Sequence, residues 1–457
     1  MNPLISPEVL ARYDRPGPRY TSYPTVPAWH DAFSEEHYRA ALDRAAAYPD
    51  QPLSLYMHIP FCASRCAYCG CNTVTDASPD LVDQYLDALQ AEINLVARCL
   101  GARQSVAQLH WGGGTPTYLT QAQIERLHRA ITEAFVLRED AEIAVETNPS
   151  GLREAQLVGL RQLGFNRISF GVQDLNPAVQ QAVGRGQTSD QTRQAVARAR
   201  ALGFRGINLD LIYGLPLQEK QAWKHTLETV AEIRPDRVAI YSFAHLPQRF
   251  PHQRAFEGLS VPKACEKYDL FAQARQQLIE AGYVAIGMDH FALPEDELAQ
   301  ALHAGTLSRN FMGYTVKTAP DQVGFGVSSI SEIADCYSQN TKMLHTYIQS
   351  LSEERFPTER GMALSRDDGI RRWVIRQLLC VFSVDADLFY DRFHEHFDQY
   401  FAREMKSLEA YETEGLLEHH GHEWRVTPLG AVFVRNLCMT FDAYLDPTGP
   451  VVFSRTV

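Results

Sequence analysis

The chain has 457 residues, of which 45% are hydrophobic and 21% are charged. This length suggests about three units or one large barrel with additions, and the composition excludes collagenous, coiled-coil and wholly disordered proteins. Its 55 acidic residues outnumber its 43 basic residues, which argues against a surface that binds nucleic acid throughout, although a local basic pocket for an anion stays open.

The N-terminal arm, residues 1–45, begins with MNPLISPEVLARYD. This stretch contains acidic residues and no unbroken apolar core, so it does not predict a secretion signal, and no uncharged apolar stretch of about 18 residues predicts a membrane span. We therefore expect a cytoplasmic protein. The segment GPRYTSYPT at 17–25 cannot continue a helix because proline removes a backbone donor.

Residues 46–365 predict an α/β catalytic domain. Apolar runs rich in branched residues alternate there with stretches of helical periodicity, which predicts repeated strand–helix units closing into a full or partial (β/α) barrel with a mostly parallel sheet. The predicted strands are 53–59, 106–111, 143–146, 167–172, 207–213, 238–243 and 284–288, and the predicted helices include 79–100, 121–135 and 218–233. We expect the site where these strands end.

Residues 366–457 predict a separate, mostly helical unit. Helical periods at 371–380 and 389–412, a hairpin at 416–426 and a helix from Pro428 indicate a winged-helix-like domain. Its 15 acidic and 10 basic residues disfavour binding to DNA. We expect this unit to cover the active site instead.

Four of the nine cysteines lie in the loop HIPFCASRCAYCGCN at 58–72. An odd, clustered count favours metal or redox chemistry over a disulfide framework. The C-x3-C-x2-C spacing of Cys62, Cys66 and Cys69 lacks the second knuckle of a zinc site and favours an iron–sulfur cluster with one open iron. A structural zinc site and a redox dithiol are the alternatives. Cys71 would close that open position, so we favour a non-ligand role for it.

Three further features stand at or near predicted strand ends. WGGGTP at 111–116 follows a strand and precedes a helix, where glycines let a ligand approach the backbone. Glu146 and Asp210 are carboxylates in otherwise apolar strands. They suit a cationic ligand with hydroxyl groups, the alternative being paired carboxylates of the core.

The cysteine loop, with Tyr68 before the third cysteine, resembles the signature of the radical S-adenosylmethionine superfamily. The resemblance implies a partial barrel and a [4Fe-4S] cluster held by Cys62, Cys66 and Cys69. It also implies that S-adenosylmethionine binds the open iron and is cleaved reductively to methionine and a 5′-deoxyadenosyl radical. The protein's task is then to place the cofactors and exclude water.

Eight segments resemble, in this order, the oxygen-independent coproporphyrinogen III oxidase family. They are GPRYTSYPT, SLYMHIPFC, CAYCGCN, QLHWGGGTPTYL, SFGVQD, NLDLIYGLP, GMDHFA and RNFMGYT. Related haem-carrying proteins lack the GCN extension with Cys71 and the GPRYTSYPT arm, both of which are present here. A haem chaperone that kept the cluster without decarboxylase activity remains the alternative.

The resemblance implies two bound S-adenosylmethionine molecules, with Tyr56 and Glu146 as catalytic residues. Contacts to the molecule on the cluster fall on Tyr56, Tyr68, Gly113, Glu146 and Ile330. Contacts to the second molecule fall on Gly114, Thr115, Gln173, Arg185, Asp210 and Ala244. Two surroundings depart from the family pattern: Asn148 stands where Asp is expected, and Arg185 lies between two glycines.

The implied substrate is coproporphyrinogen III, whose ring A and B propionates are decarboxylated to vinyl groups to give protoporphyrinogen IX in haem biosynthesis. Because guanidinium groups bind carboxylates in a bidentate manner, Arg19 and Arg309 are candidates for holding propionates, the alternative being ordinary surface arginines. The reaction implies an unidentified electron donor and acceptor. We expect a monomer without nucleic-acid partners.

Overall fold

The computed structural model describes residues 7–317, 319–445 and 453–456. Residues 1–6 of the predicted arm, residue 318 of the predicted barrel domain, and residues 446–452 and 457 of the predicted C-terminal unit lie outside the described residues. No described helix is long and apolar enough to span a membrane.

The strands and helices have the following bounds in chain order. The strands are β1 Leu53–Ile59, β2 Phe61–Cys62, β3 Val74–Thr75, β4 Ser105–Gly113, β5 Val136–Thr147, β6 Arg167–Gln173, β7 Gly206–Tyr213, β8 Arg237–Ser242, β9 Val284–Ile286, β10 His290–Ala292, β11 Ser308–Asn310, β12 Gly313–Thr315, β13 Asp321–Phe325, β14 Ile330–Ile333, β15 Cys336–Asn340, β16 Thr358–Ala363, β17 Ser383–Asp385, β18 Leu417–His420 and β19 Glu423–Val426. The helices are α1 Pro7–Tyr13, α2 Glu35–Ala46, α3 Pro79–Leu100, α4 Gln121–Ala134, α5 Glu154–Gln162, α6 Pro177–Ala182, α7 Ser189–Ala201, α8 Lys220–Ile233, α9 Ala264–Glu280, α10 Glu297–His303, α11 Leu344–Ser352, α12 Arg366–Cys380, α13 Ala386–Phe393, α14 Phe397–Tyr400, α15 Met405–Thr413 and α16 Val434–Thr440.

One long sheet forms the centre of the chain, in the order β16-β15-β14-β13-β1-β4-β5-β6-β7-β8-β10-β9. The run from β13 to β8 is parallel, and both flanks are antiparallel. Because β16 and β9 do not pair with each other, the sheet is a partial barrel, as the resemblance implied. The carboxyl ends of the parallel strands meet at one edge, where the predicted site residues converge.

Helix α3 shows how local sequence sets this packing. Ser78 caps its start by accepting a hydrogen bond from the Leu81 backbone, and Gly101 ends it in a conformation with φ +55°. Residues three or four apart on its inner face are buried against the sheet. They are Val82, Leu86, Leu89, Ile93 and Val96. Each such side chain stabilises the fold by roughly 1.5–3 kcal/mol relative to exposure.

Two predicted strands differ from the structure. β5 begins at Val136 rather than at 143, because Val136 and Leu137 pair with Ser105 and Val106 of β4 before a shift in register. The last predicted strand ends at Ile286 and pairs antiparallel with β10 at the sheet edge. The strands β13 to β16 were not predicted: β13 extends the parallel run beside β1, and β14 to β16 continue the sheet in antiparallel order.

The C-terminal unit has the predicted winged-helix-like order, with a small sheet β17-β19-β18. The helical periods predicted at 389–412 belong to three helices, α13, α14 and α15. His394 ends α13 in the left-handed conformation with φ +56°, which a continuing helix does not tolerate.

The N-terminal arm is tied to this unit by buried hydrogen bonds. The Arg435 guanidinium donates to the carbonyl of Pro18 at 2.9 Å, and the Asn436 amide donates to the carbonyl of Tyr13 at 2.9 Å. Burial lowers the pKa of Arg435 to about 10. That the two segments cover the active site stays a prediction.

A buried carboxylate holds the turn between β13 and β14. Glu92 of α3 is 1% exposed and accepts hydrogen bonds from the Gly326 backbone (2.7 Å), the Tyr347 hydroxyl (2.7 Å) and the Asn340 amide (2.6 Å). Burial raises its pKa to about 7, against the pull of these donors. The group therefore keeps its proton in the folded state at a pH where the unfolded chain has lost it.

We expect Glu92 to make the free energy of unfolding fall between about pH 4.5 and pH 7, by up to about 3 kcal/mol. Glu92→Gln lacks this contribution. The difference in the free energy of unfolding between the wild type and the variant should therefore shrink from pH 5 to pH 7.5, because only the wild type loses stability over this range. Urea unfolding at both pH values measures it. Glu125→Gln, at an exposed position of α4, is the control; equal differences at both pH values for Glu92→Gln would contradict the assignment.

Candidate active site

The cysteine loop lies directly after β1. Cys62, Cys66 and Cys69 are half-buried free thiols, whereas Cys71 is exposed. The Ala67 backbone donates to the carbonyl of Val183 at 3.0 Å, which fixes the loop against the turn after α6. The loop thus presents its first three thiols within one short, anchored segment.

The surroundings of these thiols differ. Burial raises the pKa of Cys62, which the Thr115 hydroxyl at 3.5 Å from its sulfur partly offsets. A hydrogen bond from the Cys71 thiol lowers the pKa of Cys69 to about 6, and the Cys71 backbone N–H at 3.4 Å adds to this. The Arg185 guanidinium donates to the Cys66 sulfur at 3.5 Å. Of the three predicted ligand thiols, Cys69 is the one shifted toward the thiolate, the form that binds metal.

The glycines at the end of β4 lie against the cysteine loop. The Gly114 N–H donates to the carbonyl of Ile59 at 2.8 Å, and the Thr115 N–H donates to the carbonyl of Phe61 at 2.9 Å. A Cβ on Gly113 would lie 2.7 Å from the His58 ring, and one on Gly114 would lie 2.8 Å from backbone of the loop. Only glycine lets these two segments approach so closely.

We expect Gly113→Ala to lower activity at least about 100-fold and to destabilise the fold by about 2–4 kcal/mol, because Gly113 has φ +112° and no room for a Cβ. The midpoint of thermal unfolding and the rate of S-adenosylmethionine cleavage measure the two effects. Gly151→Ala is the matched control, since nothing lies within 4 Å of its Cβ. Wild-type values for both variants would contradict the steric argument.

Glu146 lies at the end of β5, beside this glycine turn. Its carboxylate accepts hydrogen bonds from His110 Nε2 at 3.0 Å and from the Gly113 backbone at 3.3 Å. Burial opposes its ionisation, but the hydrogen bond and charge of His110 hold its pKa below the ordinary value. The Tyr56 ring stacks on His110 at 5.9 Å, and its hydroxyl lies 3.3 Å from His58 Nδ1. Glu146 thus offers a fixed negative charge.

Arg185 connects the cysteine loop to the end of β6. Besides Cys66 it donates to the Tyr68 hydroxyl at 3.5 Å and to the carbonyl of Gly171 at 2.6 Å. Gln173 ends β6 with φ +70°, and its side chain and that of Arg185 both lie within 4 Å of the position that a Cβ on Gly171 would take. The structure therefore brings three predicted residues of the two binding sites together.

Asp210 lies in β7 and lines, with Glu146, a cleft along the parallel strands of the barrel. Ser169 and Asn208 donate to its carboxylate at 2.9 and 2.8 Å. Burial and then the charge of Glu146 raise its pKa to about 6. This carboxylate therefore exchanges its proton near neutral pH.

Ala244 follows β8, whereas Ile330 belongs to β14, on the far side of β1 in the strand order of the sheet. The carbonyl of Ala244 accepts a hydrogen bond from the Gln253 amide at 3.2 Å, and the same amide lies 3.2 Å from the carbonyl of Tyr68. Ile330 begins β14 and packs with the Trp29 cluster of the arm. Their predicted contacts remain predictions.

The two candidate propionate ligands already have partners. The Arg19 guanidinium pairs with Asp289 and lies over the Tyr241 ring at 5.5 Å. Arg309 is buried and donates to the carbonyl of Arg19 at 2.9 Å. Arg309 thus ties the arm to the barrel, and both roles toward propionates stay predictions.

Sequence reasoning missed residues that orient the site. His110 holds Glu146, and His252 donates to the carbonyl of Cys69 at 2.7 Å. The LHWGGG segment offered a signal for His110, since it lies two residues before the glycines on a strand beside that of Glu146. His252 follows no motif, because its contact crosses 183 residues.

The comparisons with known proteins agree with this geometry. Residues 56–230 match the Radical SAM superfamily, and residues 364–433 match the HemN C-terminal domain. The oxygen-independent coproporphyrinogen III oxidase of Synechocystis sp. is 44% identical over 458 residues, covering 99% of this chain and 98% of the relative, and that of Escherichia coli K12 is 45% identical over 450 residues, covering 98% of each. The chain belongs to the oxygen-independent coproporphyrinogen III oxidases.

The fold comparison extends the match to three dimensions. The solved structure described as "Coproporphyrinogen III oxidase (HemN) from Escherichia coli is a Radical SAM enzyme" aligns with a TM-score of 0.89 and 44% identity, over 93% of this chain and 98% of that chain. The family recognition, the radical SAM partial barrel and the helical C-terminal domain are therefore confirmed. Radical SAM enzymes use a [4Fe-4S] cluster and S-adenosylmethionine.

The residues present fit these cofactors. Within the described part of the chain no three His, Cys, Asp or Glu side chains converge on a single ion, whereas a cluster binds its cysteines through separate irons. The three half-buried thiols of one loop supply that donor set. The glycine turn that a Cβ would block and the Glu146 carboxylate provide a cradle for a cationic amino acid derivative.

Proposed function

We propose that the protein decarboxylates the ring A and B propionates of coproporphyrinogen III without oxygen, giving protoporphyrinogen IX in haem biosynthesis. Each propionate loses one hydrogen atom, one CO2 and one electron, and becomes a vinyl group. The observation that carries this proposal is the three-thiol loop joined to the glycine turn and Glu146, in a chain similar over almost its whole length to enzymes of that name.

Cys62, Cys66 and Cys69 would hold the cluster. The cluster and S-adenosylmethionine together would supply a reductive cleavage, which provides the radical that abstracts hydrogen. Glu146 would hold the cationic cofactor at the glycine turn, and the Tyr56 phenol would contact the same cofactor. This phenol is neutral, because burial raises the pKa of Tyr56 well above the usual range. Proposed further contacts of this first molecule are Tyr68, Gly113 and Ile330. Those of the second are Gly114, Thr115, Gln173, Arg185, Asp210 and Ala244.

The protein's own contribution is placement and exclusion of water. Arg185 sets the orientation of Cys66 and Tyr68 through hydrogen bonds, and Gln253 joins Tyr68 to Ala244. The arm and the C-terminal unit would shield the site from solvent, which otherwise quenches a carbon radical. We also propose that the protein is a cytoplasmic monomer and that it uses an unidentified electron donor and acceptor. Sedimentation of the anaerobic holoenzyme tests whether it is monomeric.

The test is anaerobic. Protein reconstituted with iron and sulfide receives a reductant, S-adenosylmethionine and coproporphyrinogen III, and chromatography with mass detection looks for vinyl-bearing product together with 5′-deoxyadenosine. Both products support the oxidase. Cleavage of S-adenosylmethionine without loss of CO2 would contradict it and favour a haem chaperone.

A further inference from the structure

The segment GMDHFA places an aspartate and a histidine at the start of β10, beside the cleft. The His290 side chain is half-buried and lines that cleft. Its ring stands at steep angles to two aromatic rings, Tyr241 at 5.9 Å and Tyr314 at 5.2 Å. The flanking rings fix the plane of the imidazole.

Asp289 determines which ring nitrogen of His290 faces the cleft. Its Oδ1 lies 2.6 Å from His290 Nδ1, and its Oδ2 pairs with the Arg19 guanidinium. Burial opposes ionisation of Asp289, but His290, Arg19 and Arg309 hold its pKa well below the ordinary range. An ionised carboxylate only accepts hydrogen bonds, so Nδ1 carries the proton and Nε2 is the atom left for a ligand.

The register across the sheet places His290 on the same face as Asp210. Asp210 of β7 pairs with Ala239 of β8, and Ala239 pairs with His290 of β10. Side chains at paired positions lie on the same face, so Asp210 and His290 flank the small Ala239 at a spacing of roughly 10 Å. A ligand that enters the cleft can therefore contact both side chains.

We propose that His290 is a substrate-binding residue whose Nε2 accepts a hydrogen bond from a pyrrole N–H of coproporphyrinogen III, with Asp289 and Arg19 as positioning residues. This inference rests on the proposed function. The macrocycle carries pyrrole N–H donors at its centre and carboxylates at its rim. An Nε2 without a proton accepts from a pyrrole N–H, whereas a carboxylate at the rim has no hydrogen to offer it.

The chain Arg19–Asp289–His290 also gives the N-terminal arm a function in binding. Arg19 comes from the arm, and Arg309 holds its carbonyl at 2.9 Å. Removing the charge of Asp289 releases both His290 and Arg19. Its loss should therefore weaken substrate binding without touching the cysteine loop.

Anaerobic equilibrium dialysis of coproporphyrinogen III against reconstituted protein with S-adenosylmethionine, without reductant, tests the proposal. We expect the Kd to rise at least tenfold in His290→Phe, which keeps an aromatic ring and loses the acceptor, and less than threefold in His290→Gln, which keeps an acceptor. Asp289→Asn should raise Kd about three- to tenfold. The exposed His225→Gln on α8 is the matched control and should bind as the wild type does.

Iron and acid-labile sulfide per chain should match the wild type in His290→Phe, because the cysteine loop is untouched. A Kd within twofold of wild type in both His290→Phe and Asp289→Asn would overturn the proposal, as would equal losses in the Phe and Gln variants or a parallel loss of iron. If His290→Phe fails to fold, the Kd of Asp289→Asn compared with that of His290→Gln decides. A wild-type protein that binds the porphyrinogen but forms no vinyl product contradicts the proposed function alone.

Discussion

Cys62→Ser, Cys66→Ser and Cys69→Ser are each expected to lose almost all activity, more than about 1,000-fold, together with most of their iron and sulfide. Serine hydroxyls do not ionise near neutral pH and are poor ligands for iron, so removing one of three thiols removes the cluster. Iron and acid-labile sulfide per chain, and the electron paramagnetic resonance signal of the reduced protein, measure the loss.

The exposed Cys71 is the informative neighbour. Its thiol donates to Cys69, so Cys71→Ser should keep most of the iron, because serine can still donate that hydrogen bond. Cys265→Ser, at an exposed position of α9, is the remote control. Equal iron loss in Cys71→Ser and Cys66→Ser would contradict a site with three ligands.

Glu146→Gln should lower kcat/KM for S-adenosylmethionine cleavage by about 100- to 1,000-fold, mostly through KM. The carboxylate is held by His110 and Gly113 at the strand end. Its charge faces the position proposed for a cationic cofactor, where few other groups could replace a lost negative charge. The rate of 5′-deoxyadenosine formation against S-adenosylmethionine concentration measures both parameters.

The matched control lies on the same strand. Glu139→Gln changes an exposed glutamate of β5 in the same way and should leave both parameters unchanged. If Glu146→Gln stays within threefold of the wild type while its iron content is normal, Glu146 serves the core rather than the cofactor.

Much of the barrel could be predicted because its parallel strands are buried and uniform. β1 is buried along its length except at Tyr56, and its predicted bounds match the observed ones. β5 was predicted short because its first half, exposed and charged, forms a strand only by pairing with the shifted start of β4. Strand limits of that kind depend on a neighbour that local periodicity does not reveal.

The site divides in the same way. The cysteines and the glycines each belong to one short segment, so their chemistry could be predicted from residues that are neighbours in the sequence. Glu146 and Asp210 have partners on other strands, and Arg185 has a partner in the cysteine loop. These contacts arise only when the barrel assembles. Arg19 was a candidate propionate ligand, yet the fold places it against Asp289, 270 residues away.

The amino-acid sequence alone determined the family and the order of the parallel strands and helices from β1 to β8, because these depend on residues close together in the chain. Tertiary structure alone decided which nitrogen of His290 faces the cleft, how Glu146 keeps its charge and how the arm meets the C-terminal unit. The physical reason is that ionisation and orientation depend on burial and on partners far apart in sequence, which come together only in the folded chain.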